Sequence, residues 1–351
     1  MTAAEHQEFA ASVRALLTKH AGRDAVRAAM DTELGYDPKL WRLLCEQIGV
    51  AALAIPEEYG GFGASLVESL LVVGELGRTL AGVPMLGSAV LGAHAVLLSG
   101  DEEACARLLP GVAEGATTLA VCWASATGWD EPGVHAEGET LSGTAYYVLD
   151  GAQADTLIVL APTGLFEVEA TAAGITRRPV ATMDPTRKLT EIGFDGVAAR
   201  KLGTADPVAV AARLREIAWA AVAAEQVGAA EQCLEMTVEY TKSRVQFGRV
   251  IGSFQALKHR MADMYVLLES AKSASYAATA AVAAGLPSAA EDVWAARVQC
   301  SEALTEIVSE TVQLHGGIAI TWEHDAHLFF KRAHGDAQLF GTPHRPLAHT
   351  N

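Results

Sequence analysis

Cysteine is scarce and scattered in this chain. Cys45, Cys105, Cys122, Cys233 and Cys300 lie far apart in sequence. None belongs to a C-x-x-C pair or to a Cys/His cluster with metal-ligand spacing. The set argues against a disulfide framework and for a reducing compartment, each thiol reading as a small buried hydrophobe. Basic charge is also short. Against 42 Asp and Glu stand 26 Lys and Arg, a formal net charge of −16. Such a surface is a poor match for a phosphate backbone and argues against nonspecific nucleic-acid binding. The opening MTAAEHQEFAASVRALL is amphipathic and carries acidic residues, unlike a basic start followed by an apolar run. Apolar windows such as 272–286 are Ala-rich and shorter than a membrane span. These absences predict a soluble cytoplasmic protein without a membrane, nucleic-acid or metal partner.

What is present is a large apolar fraction. The chain has 351 residues, half of them hydrophobic, enough for two or three packed units. Residues 1–113 read as helices, with apolar spacing of three and four in LWRLLCEQIGVAAL and SLVESLLVVGELGRTL. The stretches PEEYGGFG (56–63) and AGVPMLGSA (81–89) read as Gly-rich breaks, and neither has the strand-flanked context of a phosphate loop. Residues 114–205 change character. TTLAVCWAS, ETLSGTAYYVL, DTLIVLAP, LFEVEA and KLTEIGFDGV are short runs bounded by Gly, Asp and Pro, which predict a mostly antiparallel β unit. Residues 206–351 return to helix, at 206–241, 254–284, 287–313 and 323–338, with Ala-rich lengths that suit a bundle.

Two stretches carry candidate chemistry. In YTKSRVQFGRVIGSFQALKHRMADM (240–264) a long helix ends near Arg244, Gly248 and Gly252 bracket a turn, and a helix begins near Phe254. A guanidinium beside such a turn can hold a phosphate pair bidentately. Gln255 falls in the first turn of the next helix, where free N–H groups favour an anion. A capped helix hairpin explains the same residues without a ligand. In QLHGGIAI (313–320), Gln313 and His315 end a helix and Gly316–Gly317 break it. The pair admits close backbone approach by a ligand or serves as an ordinary helix stop.

Taken in order, PEEYGGFG with GELGR, MDPTRKLTEIGFDGV, Y-x-x-x-R-x-x-F-G-x-x-I-x-x-F-Q and QLHGG resemble the acyl-CoA dehydrogenase family over roughly residues 3–345. The resemblance implies an N-terminal helical domain, a middle β-domain and a C-terminal four-helix bundle, assembled as a dimer of dimers. It implies FAD held between the β-domain of one subunit and the bundle of its neighbour. Arg244, Phe247, Gln255, Gln313 and Gly317 then match positions that reach the neighbour's FAD. The implied reaction is α,β-dehydrogenation of an acyl-CoA thioester, in which a glutamate takes the α-proton and the flavin accepts the hydride.

The chain departs from that pattern at the base. In LFGTPHR, aligning Gly341–Thr342 with the family's Glu-Gly-Thr step puts Phe340 where the glutamate belongs. Some members carry the glutamate 26 residues before the arginine of the R-x-x-F-G turn, and here that residue is Ala218. Neither can take a proton. Glu225 shares the face of Ala218 about 10 Å along the axis. Glu216 turns away, and Asp336 precedes Phe340 by one helical turn. As displaced bases Glu225 and Asp336 are weak candidates, and solvated surface or helix-end charge is the expected role of all three. The flavin-facing Trp-Ile-Thr/Ser step of the family is matched by Tyr147, Val148 and Leu149, without the hydroxyl. VCWASATGWDEPG (121–133) keeps only an EPG fragment of the usual Thr-Glu-Pro-x-Ala-Gly-Ser-Asp loop.

The bundle residues serving a neighbour's FAD thus look intact, and those serving this chain's own flavin look degraded. The resemblance narrows to the shorter, base-lacking companion subunit of bacterial α2β2 acyl-CoA dehydrogenases, which act in steroid side-chain degradation and carry two FAD per tetramer. The expectation is an FAD shared with a catalytic partner subunit and a bulky, steroid-derived acyl-CoA bound mainly by that partner. Phe340 and Leu149 are expected to fill the vacated pocket, and Thr342 and His344 to face a neighbour's cofactor. The alternatives are a homomeric dehydrogenase with a displaced base and a non-catalytic scaffold subunit.

Overall fold

The computed structural model describes residues 2–342. Six helices build the first part: α1 (Ala3–His20), α2 (Arg23–Met30), α3 (Pro38–Ile48), α4 (Leu66–Thr79), α5 (Ala93–Leu98) and α6 (Glu102–Ala113). Local signals set their ends. Thr2 with Glu5 and Ser65 with Glu68 form capping boxes on α1 and α4. Asp37 caps α3 with Pro38 in its first turn, and Gly49 stops it at φ 75°. The helical reading of LWRLLCEQIGVAAL therefore runs too far, because VAAL lies beyond that stop. The break read at AGVPMLGSA is half helical: a widened turn of helix, Met85–Gly92, leads into α5.

The middle part holds two four-stranded sheets. Its strands are β1 (Leu119–Cys122), β2 (Val134–Glu137), β3 (Thr140–Leu149), β4 (Thr156–Ala161), β5 (Gly164–Glu169), β6 (Ile175–Val180), β7 (Leu189–Ala198) and β8 (Arg200–Leu202). The orders are β1-β4-β5-β8 and β2-β3-β7-β6. All pairings are antiparallel except β1 with β4. Leu141, Ala145, Ile192 and Phe194 of one sheet cluster with Leu157, Val159, Phe166 and Val168 of the other. Of the second sheet, β3 and β7 fall on the predicted runs ETLSGTAYYVL and KLTEIGFDGV, while β6, ITRRPV, escapes a reading by apolar runs because it has no fully buried residue.

Four long helices close the molecule: α7 (Pro207–Ser243), α8 (Gln255–Ala284), α9 (Ala289–His315) and α10 (Ala326–Gln338). A two-residue-stranded hairpin, β9 (Val245–Gln246) and β10 (Arg249–Val250), links α7 to α8. The GELGR motif joins first part to bundle. A Cβ on Gly228 of α7 would come within 1.9 Å of the Gly74 carbonyl, and one on Gly77 within 2.3 Å of the Glu225 carbonyl. Only glycine permits so close a helix crossing. The motif's charges continue the joint: Arg14 bonds Glu75 at 2.7 Å, and Arg78 reaches Glu231 and Glu235. No helix of the described residues is long and apolar enough to cross a membrane.

Candidate functional site

The first candidate region is one end of the bundle. The C-terminus of α7, the hairpin and the N-terminus of α8 meet there by chain continuity. The C-terminus of α9 joins them. The Tyr240 ring stacks on His315 at 4.3 Å, its hydroxyl donates to the His315 carbonyl at 3.2 Å, and Arg260 bonds Glu310 at 2.7 Å. This end gathers Arg244, Phe247, Gln255, Gln313 and Gly317, all exposed. The Arg244 guanidinium makes no hydrogen bond or ion pair within the described residues. Phe247 is 93% exposed at the hairpin tip with φ 54°, a strained state for a residue with a side chain. No side chain caps the N-terminus of α8; the Leu257 N–H already bonds the Phe254 carbonyl at 3.1 Å, and the Gln255 and Ala256 N–H groups are left without a partner among the described residues. Gly316 needs its glycine, since φ 65° with ψ −147° is open to little else. A Cβ on Gly317 would meet nothing within 4 Å.

The second region is the tail turn after α10. Phe340 is buried at φ 60°, followed by Gly341 at φ 98°. Its ring lies 6.0 Å from Trp123 and 5.9 Å edge-on from Trp129, and Trp129 stacks on Tyr147 at 5.1 Å. The Trp219 indole donates to the Phe340 carbonyl at 2.9 Å. Arg215 bonds the Trp129 carbonyl and lies 5.9 Å from the Trp123 ring. Tyr147 sits at a β-bulge of β3 with φ 54°, while Val148 and Leu149 are buried. Beside this cluster a cleft of about 900 Å³ opens, walled by Trp129, Tyr147, Met183, Trp219 and Phe340 and reached by His334. The His334 Nδ1 contacts the Phe330 carbonyl at 2.9 Å, a bond that fixes Nε2 as its free nitrogen. The exposed Thr342 borders the cleft, and His344 lies outside the described residues. Ala218 is fully buried in α7 and does not border it.

The structure corrects the surface roles expected of Glu225 and Asp336. Both are buried, Asp336 completely. Arg187, from the loop before β7, bonds both carboxylates. Arg332 of α10 donates to Glu225 at 2.8 Å, to Asp184 at 2.6 Å and to Thr186 at 2.5 Å. The chain reading placed charges on a helix surface because the partners lie far off in sequence. Burial pushes the Asp336 carboxyl up to about 7, with Arg187 opposing, and its Oδ2 has no partner among the described residues. Asp184 is held below the usual carboxylate range against its burial, by Arg332 and Arg187. Neither Glu225 nor Asp336 borders the cleft. Glu225 instead borders a chamber of about 40 Å³ with Tyr36, Asp150, Arg187, Lys188 and Arg332, room for a few waters. Asp150 presses on Gly87, where a Cβ would come within 2.3 Å of Oδ2, and desolvation pushes its carboxyl up to about 7. Glu216 pairs with Arg213 at 2.6 Å, partly exposed on α7. Among the described residues no group of three or more His, Cys, Asp or Glu is placed to hold a metal.

Sequence reasoning missed Trp123, Trp129, Trp219, Arg215 and His334. Two of them stood in the quoted VCWASATGWDEPG, where paired tryptophans in a Gly-rich loop were the available signal.

The model "Acyl-CoA dehydrogenase, N-terminal domain" matches residues 3–116, and "Acyl-CoA dehydrogenase, C-terminal domain" matches residues 213–344. Acyl-CoA dehydrogenase IpdE2 of Mycobacterium tuberculosis is 44% identical over 98% of this chain and 95% of its own length. The protein of the same name from Mycolicibacterium smegmatis is 43% identical over 98% and 96%. Among solved structures, the ChsE4-ChsE5 complex from Mycobacterium tuberculosis superposes with a TM-score of 0.89 at 29% identity, covering 98% of this chain and 95% of the matched one. A Tcur3481-Tcur3483 steroid ACAD variant gives 0.88 at 31%, covering 97% and 94%. With identity above two-fifths along nearly the whole length, and helical, β and helical parts in the family's order, the chain belongs to the acyl-CoA dehydrogenase family.

Proposed function

We propose that this chain is the companion subunit of a heteromeric, FAD-dependent acyl-CoA dehydrogenase, cytoplasmic, and divided at 1–113, 114–205 and 206–351. In this reading it contributes to the FAD site of a catalytic partner in an α2β2 tetramer and supplies no base. The observation that carries it is a contrast between the two regions. Where a carboxylate is needed, Phe340 is locked among rings and indoles. At the bundle end, a guanidinium without a partner, an uncapped helix N-terminus and an exposed glycine pair face outward together.

The fit to FAD differs on the two sides. Arg244 and the N–H groups around Gln255 suit a diphosphate, Phe247 suits a flat ring, and Gln313 and Gly317 offer an amide and open backbone. Among the described residues nothing comes within 4 Å of a Cβ at 317, which leaves the backbone there open to a ligand. Among the described tail residues, Thr342 offers a hydroxyl at the cleft. On the chain's own flavin side, Leu149 is buried and Tyr147 is engaged with Trp129, so the expected hydroxyl contact has no donor. FAD supplies the hydride acceptor when bound. A heteromeric partner and a bulky, steroid-derived acyl-CoA are supported by the names of the two structures above, one a two-protein complex and one a steroid enzyme.

The cleft of about 900 Å³ favours a second reading, a homomeric enzyme that holds its own flavin. Its displaced bases fare badly, because Glu225 and Asp336 are tied to arginines away from the cleft. Co-purification with the partner and a count of FAD per tetramer separates the readings. The expected result is two FAD per α2β2 tetramer and little flavin on the chain alone. R244A should weaken FAD retention in the complex by roughly tenfold or more, the order of one lost charge-assisted pair. Four flavins on one subunit type overturn the proposal. Unchanged flavin content in R244A supports a scaffold role.

A further inference from the structure

Arg297 is the anomaly of the bundle core. It lies mid-way along α9 in the run VWAARVQC and heads the fully buried side chains by volume. A guanidinium taken out of water is costly unless it is paired. Among the described residues no carboxylate is hydrogen-bonded to this one. Its Nη2 donates instead to the carbonyls of Asp336 at 2.5 Å, Leu339 at 2.8 Å and Gly341 at 3.5 Å. Its Nη1 donates to Ser301 at 3.2 Å, and the Ser301 hydroxyl is itself bonded by Gln226 of α7. The Nε has no partner among the described residues.

Those carbonyls belong to the end of α10 and to the turn after it, where a helix leaves acceptors unpaired and its dipole is negative. The turn needs holding. Phe340 has a left-handed backbone that a side chain disfavours. The carbonyls on both sides of Phe340 share one guanidinium nitrogen, and its own carbonyl is held by Trp219. Arg297 itself borders neither the aromatic cluster nor the cleft. We propose that Arg297 is a positioning residue: it fixes the 339–341 turn in its left-handed form and so sets Phe340 as the wall between the aromatic cluster and the cleft. This concerns the chain's own cleft and stands apart from the subunit reading.

The test uses the full chain. R297K keeps the charge but loses the planar fork that spans the turn. Its far-ultraviolet circular dichroism should match the unmodified chain, while the near-ultraviolet tryptophan band falls to the level of F340A. I307V, which trims the same helix core, should leave that band unchanged. An unchanged band in R297K, or an equal loss in I307V, overturns the proposal. Amide exchange in the unmodified chain decides independently should R297K fail to fold. Peptide 336–342 is expected to exchange as slowly as the middle of α9. Exchange as fast as the exposed 245–250 hairpin overturns the assignment.

Discussion

Phe340 shows how one side chain can close a catalytic option. A carboxylate at that place would sit against Trp123 and Trp129, the latter backed by Tyr147, rings that offer it little solvation. F340E should therefore not give the isolated chain turnover. Desolvation would raise the new carboxyl above its unfolded value, so its protonated form is the one the fold tolerates. Stability of F340E is then fully present at low pH and falls as pH rises through the folded pKa. Urea midpoints at pH 5 and pH 8 check this: the variant should lose stability relative to the unmodified chain more at the higher pH. The sequence alone singles out Phe340, because a known pattern expects an acid there. It does not reveal the neighbours. They come from the loop after β1, from β3 and from α7, every one of them at least 121 residues away in sequence, the separation of Trp219. Such pairings follow from tertiary packing, which no local period encodes.

Elements are where the sequence is most legible. All four C-terminal helices lie within a few residues of their periodic runs: Asp206 caps α7, Gly285 and Gly316 stop α8 and α9, and long Ala-rich stretches fill α7 to α9. Loops that join elements are read worse. Nothing local singles out Asp184 or Arg187 in MDPTRK before β7, yet they bind α7 and α10 through Glu225, Arg332 and Asp336. The same set makes a pH prediction. Asp336 and Asp150 both have folded pKa values raised to about 7 by burial. The folded chain then binds more protons than the unfolded chain between about pH 4 and 7. Their contribution is whole below the unfolded pKa and is lost as pH rises through 7. Asp184, whose pKa is lowered, acts oppositely and only at acid pH. D336N should flatten the decline in unfolding free energy from pH 4 to 7, read from urea titrations across that range. An unchanged slope would show that Asp336 is ionised throughout.

At the scale of the whole molecule, the three parts follow one another cleanly along the chain but do not separate cleanly in space. The glycine contacts of α4 with α7 join the first part to the bundle backbone to backbone. The loop before β7 joins the middle part to it through buried charge. Breaking a buried pair by removing one partner costs about 3–5 kcal/mol. A fragment spanning 114–205 leaves Glu225, Arg332 and Asp336 behind, so Asp184 and Arg187 lose their mates. That fragment should not fold on its own. Denaturant unfolding of the intact chain should be a single transition, coincident by tryptophan emission and far-ultraviolet signal, where chains of several domains commonly show more than one. Two separated transitions would show that the ionic joint carries little weight.

The same joint bears on how this fold can change over time. Its charges come from a loop and two helices, and each arginine answers more than one carboxylate. Replacing any single member strands the others in a dry interior, so substitutions there must arrive together or not at all. The cleft wall is under no such charge coupling: the Phe340 ring packs among other rings, and the bonds that hold its turn run to backbone carbonyls, which any side chain at that place keeps. A side chain at the cleft can thus be exchanged while the architecture around it is kept.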